Sequence, residues 1–418
     1  MDNIMQAYHE KTQTCLRCAL CQTVCPIFRE LHGELASPRS KVRLIQELLE
    51  GRLKFSARLE ELLHLCIGCK RCEENCPAKI DIHNLILTAR AEFVKNKGYS
   101  LSKKIMLRQI LGPRSSGLHW LFRSLAVYQK TFPGRLISSS GLPNLMMENA
   151  REKEVLLAPV PSRTFFQQPE LKQKSAAGDR PKVGYFVGCL TNHLFPSQAE
   201  AVVKVLQYSG YDVEIPRDVG CCGLPQRSAG DVEEAKKLAL RNIKAFQSDI
   251  IVTDCASCSS FLKEYENLYA GTPEAESFKH FSEKVYDISY FLSRESLSVI
   301  KGGSQISVTY HDPCHLIRGQ NISREPRKLL QNIPGLKLVE MEGADECCGG
   351  GGLFSLTHFR LSRMILKRKL DNIAATGAEI VATSCPACRM QLQSGFTAEK
   401  IPQKVVHPVE LLARFLEI

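Results

Sequence analysis

Residues 15–26, CLRCALCQTVCP, and residues 66–77, CIGCKRCEENCP, decide how the N-terminal part of this chain is organised. In both stretches three cysteines stand three residues apart, and a fourth follows four residues later, directly before a proline. This spacing is typical of [4Fe–4S] cubanes, because three cysteines wrap a turn around one cluster while the fourth is carried away toward another. Structural zinc also binds Cys-x-x-Cys pairs, but it leaves the third regularly spaced cysteine and the Cys-Pro step unexplained.

The spacing assigns these cysteines to two cubanes, each built from three cysteines of one stretch and the fourth cysteine of the other. The first cubane takes Cys15, Cys18, Cys21 and Cys76, and the second takes Cys66, Cys69, Cys72 and Cys25. Around them SPRSKVRLIQELLEGRL, SARLEELLHLC and DIHNLILTARAEFVKNKG carry leucines at helical spacing, and no strand is predicted. We expect their apolar faces to form the core of a helical module.

The other ten cysteines form an internal repeat. A single Cys, a Cys-Cys-Gly and a Cys-x-x-Cys occur in this order twice, at offsets of 125, 126 and 130 residues, which indicates a duplicated unit with small loop insertions. The first set is Cys189, Cys221, Cys222, Cys255 and Cys258, and the second is Cys314, Cys347, Cys348, Cys385 and Cys388. Free structural cysteines would not repeat in register, so they do not explain the pattern. Disulfides are a poor explanation because adjacent cysteines rarely form them, and zinc is a poor explanation because it uses fewer than five thiolates. We therefore expect a non-standard iron–sulfur cluster in each copy.

Each copy of the repeat reads as β-α-β-α-β-α. The predicted strands are KVGYFVG, YDVEIP and DIIVTD in the first copy and QISVTYHDP, LKLVEMEG and AEIVATS in the second. Strands that alternate with helices predict parallel sheets covered on both faces. Every cysteine group then lies just past the carboxyl end of a strand, where open α/β sheets bind their ligands.

Composition narrows the class of protein further. The 418 residues include 55 Lys+Arg and 44 Asp+Glu, a net charge of +11, with 44% hydrophobic residues and no run of 18 apolar residues. We expect a globular chain without a membrane span or secretory signal, in a reducing cytoplasm where the cysteines hold metal. Each cubane with four thiolates carries about −2, so bound clusters cancel much of the positive charge. No DNA- or RNA-binding signature is present, and we expect no nucleic-acid partner.

Residues 93–147 contain no Asp or Glu, although they include Lys95, Arg108, Arg123 and Trp120, the only tryptophan. Such a basic, amphipathic stretch is typical of a segment that docks on a membrane surface or a partner. A helical linker packed on negatively charged clusters is the alternative.

Two further features accompany the second cysteine set. His311 and His315 flank Cys314 and are candidates for tuning or protonating a cluster, or for ordinary supporting roles. Residues 349–352 are four glycines, which match no nucleotide-binding pattern and are expected to form a flexible loop beside the cluster. We find no flavin or nicotinamide fingerprint and expect no flavin in this chain.

These motifs resemble a known family. CLRCALCQTVCP, SPRSKVRLI and CIGCKRCEENCP are similar to the α-helical ferredoxin module of glycolate oxidase iron–sulfur subunits. The repeats resemble the cysteine-rich CCG domains of those subunits, lactate-utilisation proteins, anaerobic glycerol-3-phosphate dehydrogenase subunits and heterodisulfide reductase. The resemblance implies an α-helical ferredoxin domain over 1–98, a basic helical connector over 99–180, and CCG repeats over 181–305 and 306–418. It also implies one or two noncubane [4Fe–4S] clusters, since complete five-cysteine repeats bind them in heterodisulfide reductase.

The resemblance further implies an iron–sulfur electron-transfer subunit of an FAD-linked dehydrogenase for glycolate or D-lactate. Its partner would be the FAD-containing subunit, and its acceptor a quinone or another carrier. A further electron-carrier subunit and a peripheral contact with the inner face of the cytoplasmic membrane are compatible with this role. The alternative is a thiol–disulfide reductase resembling heterodisulfide reductase, with catalytic clusters at the CCG motifs.

Overall fold

Two four-stranded parallel sheets carry the C-terminal part of the molecule. The computed structural model describes residues 9–99, 101–110, 116–130, 159–168, 180–295 and 305–416. The first sheet has the order β2-β1-β3-β4 and the second the order β6-β5-β7-β8, and neighbouring strands are parallel throughout. The strands are β1 Lys182–Tyr185, β2 Asp212–Glu214, β3 Ile251–Thr253, β4 Val285–Asp287, β5 Ile306–Tyr310, β6 Leu336–Leu338, β7 Ile380–Ala382 and β8 Lys404–Val406.

The predicted duplication and parallel sheets are confirmed. Even the register repeats: Gly184 pairs with Ile251 in the first sheet, as Thr309 pairs with Val381 in the second. Each sheet has a fourth strand, β4 or β8, that the sequence did not predict. They extend the sheet on the side of β3 and β7, away from β2 and β6.

Helices cover both sheets, as the alternating pattern predicts. In the first repeat they are Cys189–Leu194, Pro196–Tyr208, Leu224–Ala229, Val232–Ala245, Ala256–Lys263, Tyr265–Leu268, Ala275–Glu283 and Ile288–Leu292. In the second they are Cys314–Gln320, Arg324–Gln331, Phe354–Thr357, Phe359–Ala375, Pro386–Glu399 and Pro408–Phe415. The repeats share one hydrophobic core, in which Val202 and Val205 of the first join Leu411 and Leu412 of the second. Each such side chain contributes about 1.5–3 kcal/mol when fully buried, so the repeats form one body.

The N-terminal module is helical, as predicted. Its helices are Leu20–Thr23, Pro26–Leu31, Pro38–Leu49, Ala57–His64, Arg71–Glu74 and Ile82–Lys97, with a 3₁₀ turn over Glu34–Ala36. Ser37 and Ser56 cap two of them, because each hydroxyl accepts a hydrogen bond of 3.2 Å from the backbone three residues on. Ile45, Leu63 and Leu85 are buried in the core between the helices.

The N-terminal module docks on both repeats: Arg90 and Lys70 contact Ser228 and Glu264 of the first, and an apolar cluster joins the module to the second. Ile27 packs against Phe354, Leu361 and Ile365 in a shared apolar cluster. Ion pairs surround this contact, between Arg29 and Glu346 (3.0 Å), Arg368 and Glu30 (2.7 Å), and Arg318 and Glu74 (2.8 Å). The contact brings the cysteine loops of the module against those of the second repeat.

The connector folds onto the first repeat. Its described helices are Leu101–Lys104, a π-helical turn over Ile105–Ile110, and Ser116–Lys130, followed by a 3₁₀ turn over Phe165–Gln167. Arg108 pairs with buried Asp231 at 2.8 Å, and Phe122 stacks on His193 with ring centroids 4.9 Å apart.

The opposite face of the connector helix is open. Trp120 is 64% exposed, and Leu121 and Val127 are exposed beside it. The basic residues Arg114 and Arg135 of this stretch lie outside the described residues. No helix in the described part of the chain is long and apolar enough to cross a membrane.

Candidate metal centres

The first predicted cubane set surrounds a small cavity near the surface of the N-terminal module. Arg17 and Ala19 adopt left-handed backbone conformations, with φ of 54° and 66°, which turn the loop around that cavity. Cys18 is exposed, whereas burial raises the pKa of Cys21 to about 11. The thiols that line the cavity are Cys15, Cys18, Cys21 and Cys76.

The second predicted set surrounds another cavity, deeper in the module. Its thiols are Cys25, Cys66, Cys69 and Cys72. Gly68 has a φ of +78°, and a Cβ there would lie 3.0 Å from Cε1 of His83, so the loop needs glycine. The Arg90 guanidinium donates to the carbonyl oxygens of Leu63 and Cys66, each at 2.8 Å.

Buried Lys41 also faces this second cavity. Burial lowers the pKa of Lys41, while the neighbouring Cys66 and Cys25 act in the opposite direction by favouring its charge. Buried cations of this kind offset the negative charge of thiolates. The cysteine motifs do not predict this role for Lys41, although the sequence carries a signal for its burial: the lysine shares a helical face with Ile45 and Leu48 of the apolar stripe.

The ten C-terminal cysteines form one continuous series in which each thiol lies next to the following one and affects its pKa. Each repeat contributes its own five cysteines as a block, and the two blocks meet at the contact between Cys255 and Cys385. The sequence did not predict this contact, because it depends on how the two repeats pack. In order the series is Cys189, Cys221, Cys222, Cys258, Cys255, Cys385, Cys388, Cys348, Cys347 and Cys314.

Interactions between neighbouring thiols shift their pKa values in opposite directions. A hydrogen bond from Cys221 lowers the pKa of Cys222 to about 5, and one from Cys347 lowers the pKa of Cys314 to about 6. A hydrogen bond from Cys255 likewise lowers the pKa of Cys385 well below its usual value. The pKa values of Cys255, Cys347 and Cys388 are raised in turn, so only some thiols of each repeat favour the thiolate that binds metal.

A cavity of about 520 Å³ opens onto both blocks of thiols. Tyr99 and Leu107 of the connector line it, as does Ile67 of the N-terminal module. The predicted glycine loop lies here too. Gly351 has a φ of +54°, and a Cβ there would lie 2.3 Å from Cγ1 of Ile67, so this loop lets the module approach closely.

The two candidate histidines differ in their surroundings. His315 has Nδ1 at 3.2 Å from Oγ of Ser257 and Nε2 at 3.3 Å from the carbonyl oxygen of Gly68, so it joins both repeats and the N-terminal module. His311 is 1% exposed, and neither ring nitrogen has a nitrogen or oxygen partner among the described residues. One of its ring nitrogens and the Sγ atoms of Cys348 and Cys388 all lie within 4.8 Å of one another.

The donor sets fit iron–sulfur clusters. All eighteen cysteines are free thiols, and they are gathered around cavities or in one close series, with buried cations beside the second set. Sulfur donors in such numbers suit iron–sulfur clusters, and the oxygen ligands that Mg²⁺ or Ca²⁺ prefer do not line these cavities in quantity.

Comparisons with known proteins agree with this chemistry. A 4Fe-4S dicluster domain model matches residues 11–80, and a cysteine-rich domain model matches residues 183–263 and 308–393. Lactate utilization protein A of Oceanobacillus iheyensis is 34% identical over 235 residues, which are 55% of this chain and 96% of that protein. The glycolate oxidase iron–sulfur subunit of Escherichia coli is 26% identical over 412 residues, 97% of this chain and 94% of that protein.

Similarity over nearly the whole chain is also found with a probable glycolate oxidase iron–sulfur subunit of Bacillus subtilis. The two are 31% identical over 411 residues, which cover 95% of this chain and 92% of the relative. The match includes the connector as well as the cysteine-bearing modules, so it extends beyond the metal-binding motifs. The chain therefore belongs to the family of glycolate oxidase iron–sulfur subunits.

Proposed function

We propose that this chain is the electron-transfer subunit of an FAD-linked dehydrogenase that oxidises a small 2-hydroxy acid, glycolate or D-lactate. The observation that carries the proposal is the arrangement of four thiol sets in series, from exposed Cys18 at one end to the buried C-terminal thiols at the other. The names of the relatives, glycolate oxidase iron–sulfur subunit and lactate utilization protein A, support the substrate class. When bound, iron–sulfur clusters supply one-electron transfer.

Contacts between modules support one order for the series. The second set adjoins the second repeat, because Cys69 and Cys347 line one small cavity together with Arg71 and Glu346. The second repeat in turn meets the first at Cys385 and Cys255. We propose that electrons enter at the exposed set and pass through the second set to the second repeat, and then to the first.

The exposed set is the proposed contact with the FAD-containing subunit. Leu16 is 70% exposed and Leu20 is 49% exposed, both within the loop that carries Cys15 and Cys18. Exposed apolar side chains at a redox centre favour a partner surface that brings the two centres close together. Leu16→Glu should slow reduction by the partner about tenfold and leave the iron content unchanged. Leu53→Glu, in the same module, is the matched control.

The test is anaerobic purification of the whole complex. We expect an FAD-containing partner, and reduction of the iron–sulfur centres on addition of glycolate or D-lactate, followed by electron paramagnetic resonance. A preparation dominated by zinc, with little iron or acid-labile sulfide, would refute the electron-transfer role.

A second candidate function is thiol–disulfide reduction. The cavity of about 520 Å³ favours it, because both blocks of C-terminal thiols face one space that is large enough for a small substrate. Reduction of small organic disulfides by the chain without its FAD-containing partner would support this function over the first.

A further inference from the structure

One position carries a phenylalanine in the first repeat and a histidine in the second, although its backbone makes the same hydrogen bond in both. Phe186 stands three residues before Cys189, and His311 stands three residues before Cys314. Phe186 donates its backbone N–H to Val252 at 2.9 Å, and His311 donates to the corresponding Ala382, also at 2.9 Å. The two side chains therefore leave equivalent strands at equivalent points.

The surroundings of Phe186 suit an apolar ring. It is fully buried in the apolar cluster of the first repeat, and its ring stacks near Phe246 with centroids 6.3 Å apart. The imidazole of His311 is equally buried, yet its ring nitrogens have no nitrogen or oxygen partner among the described residues. A buried polar group without a hydrogen bond costs about 1–3 kcal/mol. We therefore expect the His311 ring to hydrogen-bond to another group in the loaded protein.

Sulfur is the partner that the geometry offers. One ring nitrogen of His311 lies within 4.8 Å of the Sγ atoms of Cys348 and Cys388. Hydrogen bonds from Cys347 and Cys388 lower the pKa of Cys348, and the His311 ring contributes in the same direction. The imidazole thus faces a sulfur whose thiolate form is favoured.

Donation fits this arrangement better than ligation of iron. The first repeat has the same five cysteines and a phenylalanine at the equivalent position, so its thiol set is complete without an imidazole. His311 is therefore an addition to a complete set. A neutral imidazole carries one N–H, which is what a thiolate sulfur accepts.

We propose that His311 donates an N–H···S hydrogen bond to Cys348 in the loaded protein and so gives the cluster of the second repeat a higher reduction potential than that of the first. The inference rests on the proposed function. Hydrogen bonds to cluster sulfurs raise the potential, because reduction adds negative charge that the donor stabilises. The matching position in the first repeat, Phe186, supplies no such donor.

Unequal reduction potentials in the two repeats would affect the order in which electrons reach them. The second repeat adjoins the N-terminal module through Cys69 and Cys347. A higher potential there makes the second repeat the favoured resting place of an electron that arrives from the module. His311 acts through Cys348 and is a positioning residue for this site.

The experiment is a redox titration of the full chain, purified anaerobically and followed by electron paramagnetic resonance. His311→Phe copies the first repeat and should lower the potential of one C-terminal centre. At a fixed potential the ratio of reduced to oxidised centre should fall about tenfold, which is about 59 mV for a one-electron couple. His311→Asn and His311→Gln place an amide N–H near the Nδ1 and Nε2 positions, and at least one should restore much of the potential. Phe186→Leu is the matched control and should leave this centre unchanged.

Two results would overturn the inference. In one, His311→Phe keeps every centre and every potential. In the other, it loses about four irons, and the wild-type protein shows the strong nitrogen coupling of an iron-bound imidazole. Wild-type protein without iron would instead refute the proposed function, and this inference with it.

Discussion

The two C-terminal repeats have the same sheet register and the same order of cysteines, but they hold different neighbours. His193 of the first repeat and Arg318 of the second occupy matching positions, four residues after Cys189 and Cys314. His193 stacks on Phe122 of the connector. Arg318 pairs with Glu74 of the N-terminal module. The duplicated scaffold has thus kept its cysteine framework, while one matching position contacts a different module in each repeat.

A second difference lies beside the thiols. Leu190 of the first repeat corresponds to His315 of the second, just as Phe186 corresponds to His311. Both substitutions place an imidazole in the second repeat where the first has a hydrocarbon side chain. Equal thiol sets in unequal surroundings are expected to have unequal potentials, because hydrogen bonding and local polarity tune a cluster as well as its ligands do.

The largest expected effect is the loss of one cluster when a single cysteine is removed from either repeat. Cys222→Ala and Cys348→Ala remove matching thiols, and each should abolish the signal of its own cluster while sparing that of the other repeat. From about 16 irons in the wild-type chain, each variant should retain about 12. Turnover with the FAD-containing partner should fall more than about 100-fold in both if the repeats act in series, since each transfer step is then essential.

Iron analysis and spectroscopy of that pair check the prediction. Loss of both signals in either single variant would mean that the repeats share ligands across the contact between Cys255 and Cys385. Near-normal turnover for Cys222→Ala alone would mean that only the second repeat conducts.

Cys72→Ser tests the N-terminal module against the repeats. It should remove one cubane, about four irons, and interrupt transfer, while the C-terminal body keeps its own core and stays folded. Circular dichroism together with iron analysis gives the readout. Loss of every cluster at once would contradict the separation of the module from the repeats.

The docking difference predicts unequal losses of stability. Arg318→Ala should lower the free energy of unfolding by about 2 kcal/mol, because its side chain is 3% exposed and its loss leaves Glu74 without this partner and Asp345 with Arg71 alone. His193→Ala should cost about 1 kcal/mol, mainly the stacking on Phe122. Anaerobic urea unfolding measures both. Equal losses would show that the two docking contacts are equivalent after all.

The smallest effect concerns the connector helix. Trp120→Ala should change the free energy of unfolding by less than about 0.5 kcal/mol, because the side chain is 64% exposed. Phe122→Ala, two residues away on the packed face, should cost about 1 kcal/mol by comparison. If Trp120→Ala lowers the free energy of unfolding by more than this, the indole ring contributes to packing.

Sequence periodicity predicted the local structure well and the packing between modules poorly. The helices Pro38–Leu49 and Val232–Ala245 fall where apolar spacing and caps indicate, because both signals act within a few residues. Strand β4 was not predicted, because it stands almost directly between the helices Ala275–Glu283 and Ile288–Leu292 and no turn signal separates it from them. The contact between Cys255 and Cys385 depends on how two folded repeats bury a common core, and no local pattern encodes it.

For the candidate site, too, local sequence patterns predicted some features, and other features depend on tertiary packing. Cysteine spacing predicted which thiols gather, since a cluster needs its ligands within one small volume. It did not predict that His315 is held by Ser257 and Gly68, while His311 has no oxygen or nitrogen partner among the described residues. Those are properties of a three-dimensional neighbourhood to which three separate segments contribute.

The unbroken series of ten thiols has a consequence for assembly. Until iron arrives, Cys255 of the first repeat lies beside Cys385 of the second, and a disulfide formed there under oxygen would tie the two repeats together at the centre of the molecule. Each repeat would then lack one of the five thiolates that it offers to iron. We therefore expect cluster loading to succeed only when it precedes exposure to air.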